Sequence, residues 1–253
     1  MELKEFSKFS KLLALESGKI IRNYFRKNII VENKRDSSPV TIADKKAEEL
    51  LRELILKEYP DHGIIGEEFG KHNENAEYQW ILDPIDGTKS FIYGAITFGT
   101  LIALTKNSKP ILGVFYQPVL NEFLIGDNAT TSLNEEKVKV QNINKISDAV
   151  LLTTDHIGIG QYQNMENFNQ LIKQVKLYRL WGDCYGYYLV ASGFAHIMID
   201  PIMNFWDIMA LIPIIKGAGG IITDYQGGNP IIGNSIVASV PNIHKEVIKI
   251  LNL

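Results

Sequence analysis

The stretch Trp80-Ile81-Leu82-Asp83-Pro84-Ile85-Asp86-Gly87-Thr88-Lys89-Ser90-Phe91 constrains this chain more than any other. An apolar run stops at two carboxylates three residues apart, with Pro84 between them and Gly87-Thr88 directly behind. The pattern predicts a buried strand that delivers oxygen ligands into a tight turn. Pro84 fixes φ between the two acids and removes a backbone donor, and Gly87 permits a conformation that a Cβ would hinder, so the carboxylates can converge. Hard oxygen donors of this kind suit Mg²⁺, which takes near-octahedral coordination at about 2.0–2.1 Å and completes it with water and substrate phosphate. Two acids are too few for such a site, so further ones must arrive from elsewhere.

Ile64-Ile65-Gly66-Glu67-Glu68 repeats the form: a short β-branched run breaks at glycine and presents acids. A glutamate pair after a short strand is most often a solvated surface, and only the stretch from Trp80 makes a shared site attractive. Upstream, Phe6 to Tyr24 has the spacing of an amphipathic helix ending near Lys27. Asn33 to Pro39, with Lys34, Arg35 and Asp36, reads as a polar loop. Thr41 then caps a second helix with the stripe Ala43, Ala47, Leu50, Leu51, Leu54 and Ile55, closed by Tyr59-Pro60. Asp44 falls in its first turn, where the helix dipole favours an anion, and on local grounds it is equally a helix-start acid and a catalytic one.

Lys71 to Glu77 reads as a loop, and Phe98–Thr105, Ile111–Gln117 and Asn121–Ile125 as an antiparallel meander. Asn128 to Asn144 is polar; Ala149–Thr154 is a strand, Tyr162–Val175 a helix and Lys176–Leu180 a strand. Gly182-Asp183-Cys184 is a turn whose backbone N–H groups can face a ligand at the start of a helix through Val190. Ala195–Ile199 is a buried strand closing on Asp200-Pro201. Trp206-Asp207 opens a helix through Ile215 that Pro213 should kink, and Gly217–Gly220 ends it. Two short strands, Ile221–Thr223 and Ile236–Ser239, precede a last helix from Pro241 to Leu253. Helical pairs alternating with short strands favour stacked helix and sheet layers. Without a Pro/Gly/Ser-rich linker, we expect one unit with two lobes, 1–145 carrying the metal site and 146–253 the substrate side.

A formal net charge of −3 with 22% charged residues lacks the basic bias of nucleic-acid binding. Cys184 is the only cysteine, which excludes an internal disulfide and a thiolate zinc cluster and makes a reducing cytoplasm the simplest compartment. It reads as a packing residue, since no basic partner lies in sequence reach. The five histidines lack metal-ligand spacing. The first 27 residues mix charges with apolar positions, unlike a signal peptide, and no stretch approaches the roughly 20 apolar residues of a membrane span.

Taken in order, Gly66-Glu67-Glu68, Asp83-Pro84-Ile85-Asp86-Gly87-Thr88, and Trp206-Asp207 followed by Gly219-Gly220 resemble the inositol monophosphatase family of Mg²⁺-dependent phosphomonoesterases. The resemblance implies an α+β fold, a layered α-β-α-β-α sandwich, usually assembled as a homodimer. It implies metal ligation by Glu67, Asp83, Asp86, Asp207 and the Ile85 carbonyl. Thr88 would orient the attacking water, Asp44 would support Thr88, and Lys34 would lie on a mobile loop near the metals. Physical chemistry agrees with that assignment: a dianionic ester repels hydroxide, so clustered cations that neutralise developing charge favour direct in-line attack, with Glu67 accepting or relaying the proton.

Within the family, Lys89-Ser90-Phe91, Phe98 to Leu104, Gln117-Pro118-Val119-Leu120 and Gly182-Asp183-Cys184-Tyr185 look most like the histidinol-phosphate phosphatase branch, part of histidine biosynthesis. By that likeness the pocket would be lined by Asp86, Gly87, Thr88, Gly182, Asp183, Cys184 and Asp200. Extra carboxylates suit a substrate bearing an ammonium and an imidazole. The alternatives are an inositol-1-phosphate or broad-range phosphomonoesterase, and a regulatory binding module that uses the same fold.

Overall fold

A computed structural model describes residues 3–34 and 38–253. The chain runs α1 (Leu3–Tyr24), β1 (Val31–Asn33), β2 (Pro39–Thr41), α2 (Ile42–Glu58), β3 (Gly63–Gly66), β4 (Gly70–His72), β5 (Tyr78–Asp86), α3 (Thr88–Ile92), β6 (Gly99–Lys106), β7 (Lys109–Gln117), β8 (Glu122–Gly126), β9 (Thr131–Leu133) and β10 (Glu136–Val138). It continues through β11 (Val150–Thr153), α4 (His156–Tyr162), α5 (Met165–Gln174), β12 (Leu177–Arg179), α6 (Asp183–Ala191), β13 (Ile197–Asp200), α7 (Phe205–Gly217), β14 (Ile221–Thr223), β15 (Ile236–Ser239) and α8 (Pro241–Leu251).

Two larger sheets organise these elements. One has the order β10-β9-β8-β7-β6-β5-β3-β4, the other β12-β11-β13-β15-β14. The expected three-strand meander is β6-β7-β8, which lies within a longer antiparallel run from β5 to β10, while β3 lies parallel to β5. Because side chains alternate along a strand, β5 serves two cores at once. Trp80 and Leu82 face one way and pack with Phe6, Leu13 and Leu51 of α1 and α2. Ile81 faces the other way and joins the apolar residues of α6 and α7, which are sandwiched between the sheets. The outer face of the second sheet is covered by α5 and α8 through Phe168, Leu171, Ile243 and Val247. The result is the expected α-β-α-β-α layering. A strand buried on both faces needs a nearly continuous apolar run, which is why β5 reads as one.

Several elements differ from the sequence reading, each for a physical reason. Gly70–His72, expected within a loop, forms the exposed edge strand β4, which needs only backbone pairing with β3 and therefore carries no apolar signature. The polar segment after Asn128 contains the β9–β10 hairpin. Its two turn residues, Asn134 and Glu135, both take positive φ, and the absence of the usual glycine hides the turn from inspection. Helix α4 was not anticipated: it is short, contains Gly158 and Gly160, and is capped by the Asp155 carboxylate accepting from the Ile157 N–H. The helix expected from Tyr162 starts instead at Met165, with Asn164 as its cap. In the loop read over Asn33–Pro39, Asn33 and Pro39 are paired by β1 and β2; Arg35 and Asp36 lie outside the described residues. Helix α7 is a single element containing Pro213, with Ile208 to Ile215 buried.

Candidate functional site

The site forms where β5 leaves its sheet. Pairing with β6 is regular as far as Asp83 and shifts register before Asp86. In the irregular step the Pro84 carbonyl accepts from the Thr100 hydroxyl at 2.8 Å. Asp83 accepts from the Ile85 N–H at 3.0 Å, and Gly87 takes φ +84 as the residue before α3. A Cβ at Gly87 would press against Asp183 and the Thr97 carbonyl, so the position needs glycine for both conformation and space. Asp207 arrives from the first turn of α7, where its carboxylate caps the Asn204 N–H at 2.8 Å. Among the described residues, Asp83, Asp86 and Asp207 each offer a carboxylate oxygen within 4.8 Å of the others.

No lysine, arginine or histidine among the described residues makes an ion pair with any of the three. Burial, with the charges of Glu67, Asp86 and Asp207, pushes the Asp83 carboxyl well above the ordinary range. Burial and the Asp207 charge raise Asp86 to about 8. Burial raises Asp207 to about 7, against the Asn204 N–H, which favours the charged form. Like charges gathered in a poorly solvated place disfavour one another. Three convergent, unneutralised carboxylates with purely oxygen donors fit a hard divalent cation.

Glu67 follows β3 and lies close enough for its charge to act on Asp83 and Asp207, though it is outside the 4.8 Å group. Its carboxylate is bound by Lys34 at 2.6 Å, and Lys34 also bonds Glu68 at 2.7 Å. Burial opposes the ammonium charge on Lys34, but these two glutamates outweigh it and raise its pKa. Thr88 Oγ1 reaches the Ile85 carbonyl at 3.0 Å and Asp44 at 3.4 Å. Asp44 is the helix-start acid its position suggested, completing the capping box with Thr41, and its other oxygen lies toward Thr88. Burial lifts its carboxyl to about 6, with the Thr41 donors restraining the rise.

Beside the three acids lies a cavity of about 300 Å³ lined by Asp86, Lys89, Thr154, Asp155, Tyr162, Asp183, Asp200, Met203 and Asp207, among others. Asp183 sits at the start of α6, accepts from Ser90 at 2.8 Å and donates its N–H to Thr154. Burial and the Asp86 charge raise it to about 8. Cys184 is buried; its N–H donates to Asp86 at 2.5 Å, and burial pushes its thiol well up. Its contribution here is therefore a backbone donor rather than a nucleophile. Gly182 precedes α6 as its cap. Asp200 lines the cavity with both oxygens engaged, one by the Thr154 N–H and the other by the Tyr187 hydroxyl.

Residues missed in the sequence are those whose role depends on long-range placement. Asp155 and Tyr162 reach the cavity because α4 exists. Thr154 follows a strand end without any local mark. Glu48 is fully buried and grips the turn after Glu67; its only sequence signal is the four-residue spacing from Asp44 and to Arg52.

Residues 2–252 match the inositol monophosphatase family. The chloroplast bifunctional phosphatase IMPL2 of Arabidopsis thaliana is 45% identical over 89% of this chain, which spans 66% of that protein. The histidinol-phosphatase of Chlorobaculum parvum is 40% identical, covering 91% of this chain and 90% of its own. An inositol monophosphatase structure from Zymomonas mobilis superposes with a TM-score of 0.89 at 32% identity, covering all of both chains. The match across nearly the whole chain, and a fold shared from end to end, mean that this chain belongs to the inositol monophosphatase family of metal-dependent phosphate monoester hydrolases.

Proposed function

We propose that this protein hydrolyses a small alcohol phosphate with Mg²⁺, and that the alcohol carries positive charge, histidinol phosphate being the leading substrate. The observation that carries this reading is the cavity wall beside the three acids. Asp86, Asp155, Asp183 and Asp200 line it against Lys89, the one basic residue on it among the described residues. A nearby cation favours the charged form of these carboxyls, so an alcohol with an ammonium or imidazolium is favoured over a neutral polyol. The likeness to a histidinol-phosphatase supports the same choice. Inositol-1-phosphate is the second reading, supported by the fold shared with an inositol monophosphatase.

In this reading Glu67, Asp83, Asp86, Asp207 and the Ile85 carbonyl hold the metal. A Mg²⁺ held by them would supply charge neutralisation at the phosphate and a more acidic water. The protein's own groups do the rest. The Thr88 hydroxyl reaches the Ile85 carbonyl at 3.0 Å and Asp44 at 3.4 Å. With that carbonyl given over to the metal, the hydroxyl would donate to Asp44 instead, leaving its lone pairs free to accept from a water and aim it in line. Glu67 takes or relays the proton released. The Cys184 N–H holds Asp86 from the α6 side, so that Asp86 can serve both metal and substrate hydroxyl. Ser90 orients Asp183 toward the alcohol. A cytoplasmic homodimer is part of the same reading, and its assembly is checked by sedimentation.

Steady-state rates with Mg²⁺ on histidinol phosphate, inositol-1-phosphate and glycerol phosphate test it. We expect kcat/KM for histidinol phosphate to lead by about tenfold or more, as one satisfied charge contact supplies. Equal turnover of the three would reject the cationic substrate and leave a broad phosphomonoesterase.

A further inference from the structure

Helix α2 carries a buried carboxylate that the reaction scheme does not use. Glu48 is fully buried, yet its acceptors are filled almost entirely by one turn of chain. Oε2 accepts the Glu68 N–H at 2.8 Å, and Oε1 accepts the Phe69 N–H at 3.1 Å and Arg52 Nε at 2.8 Å. Arg52 also donates to the Gly70 carbonyl, so the pair holds the turn through both its N–H and C=O groups. Gly66 lies flat against this carboxylate, and a Cβ there would overlap it. Leaving a charge in such a place is costly unless donors meet it, and here the donors are the Arg52 guanidinium and the two backbone N–H groups directly after Glu67.

Four residues earlier on the same helix, Asp44 faces Thr88. Residues at this spacing lie on one helix face, so a single rigid element touches both the Thr88 side and the Glu67 side of the site. We propose that Glu48 is a positioning residue: its carboxylate fixes the turn that aims Glu67, and α2 thereby sets Glu67 in register with Thr88. The proposal rests on Glu67 being a metal ligand.

The test uses the full-length protein and Mg²⁺ alone as the probe. In Glu48→Gln the amide offers one acceptor oxygen and an NH₂ that opposes one of the three donors, so the turn loosens without a change of size. Outer partners of metal ligands commonly contribute a factor of 10–100 in affinity, so we expect Mg²⁺ binding by titration calorimetry to weaken about tenfold. The Mg²⁺ midpoint for hydrolysis should rise in parallel, with kcat at saturating Mg²⁺ within about twofold of the parent. Ile55→Val, buried on the same helix away from this turn, controls for stability: it should lower Tm and leave Mg²⁺ affinity unchanged. If Glu48→Gln does not fold, Arg52→Met decides, with an expected loss of about threefold.

An Mg²⁺ affinity that moves no more than in Ile55→Val overturns the proposal. Glu67→Gln separates the two layers of reasoning. If it weakens Mg²⁺ binding while Glu48→Gln does not, positioning fails and the ligand assignment stands. If Glu67→Gln leaves Mg²⁺ binding unchanged, the ligand assignment fails and positioning goes with it.

Discussion

Two sets of aspartates face the same space and are built differently. Asp83, Asp86 and Asp207 converge within 4.8 Å of one another, and the hydrogen bonds they accept come from Ile85, Cys184 and Asn204 backbone N–H groups. These donors hold the carboxylates in place without cancelling their charge. On the cavity wall, Asp200 has both oxygens satisfied and Asp183 is held by Ser90. The first set has no basic side chain paired with it among the described residues, whereas the second is oriented and, in Asp200, largely complete. A carboxylate's chemistry is thus set less by its identity than by whether its neighbours leave it charge to share.

The largest effect that would break this contrast comes from the first set. Asp83→Asn should lower kcat/KM by about a thousandfold or more, since removing one preorganised electrostatic group commonly costs two to three decades. Complete chelation should likewise abolish turnover, and activity retained in excess EDTA would falsify the metal role. Next comes a pH effect on the metal-free protein. Burial and mutual repulsion hold Asp86 near about 8 and Asp207 near about 7, above the ordinary carboxyl value of 3.8, so the folded state keeps protons that the unfolded state releases. Stability contributed in this way is fully present below pH 3.8 and is lost as pH rises through about 8. Tm measured in EDTA should therefore fall across that window, and saturating Mg²⁺ should flatten the fall. A metal-free Tm that rises from pH 5 to pH 8 would contradict the cluster's charge state.

The second set should respond less strongly and more selectively. Asp183→Asn is expected to raise KM for histidinol phosphate about tenfold, the worth of one charge-assisted contact, and that for a neutral alcohol phosphate less than twofold. Equal effects on both would reduce Asp183 to a structural part of the α6 start. The smallest change should come from Cys184→Ser. The residue acts on Asp86 through its backbone N–H, which the substitution retains, and its thiol donates to the Asp86 carbonyl at 3.7 Å, a contact a hydroxyl can also make. Hence kcat/KM should stay within about threefold and Tm should drop slightly as a buried thiol becomes a hydroxyl. A loss near that of Asp83→Asn would assign chemistry to the thiol.

Much of the first set was legible because its acids sit at local breaks, Asp83 and Asp86 where an apolar run ends and Asp207 at a helix start; Glu67, near them, follows a glycine in the same way. Such breaks reflect backbone geometry, which leaves a mark in neighbouring residues. The cavity wall was less legible. Asp155 caps a helix whose two glycines obscure its periodicity, and Tyr162 follows from that helix. Asp200 was found, but the engagement of its two oxygens depends on Thr154 and on Tyr187 of α6. Glu48 looked like any charged residue on a half-exposed helix, and its complete burial could not be read from the stripe that places Ala47 and Leu51 inward.

The sequence by itself determined the local units: the doubly buried strand β5, the Thr41 cap, the turn at Gly87 and the oxygen character of the site. These follow from side-chain alternation, φ preferences and ligand chemistry over a few residues. Tertiary structure alone decided that β3 lies parallel beside β5, which brings Glu67 to the strand end that carries Asp83. It also decided that α7 lies between the sheets, which delivers Asp207, and that α2 lies across the back of the turn after β3, which buries Glu48. Those placements depend on burying apolar faces between layers far apart in the chain, and no short stretch of residues records its distant partner.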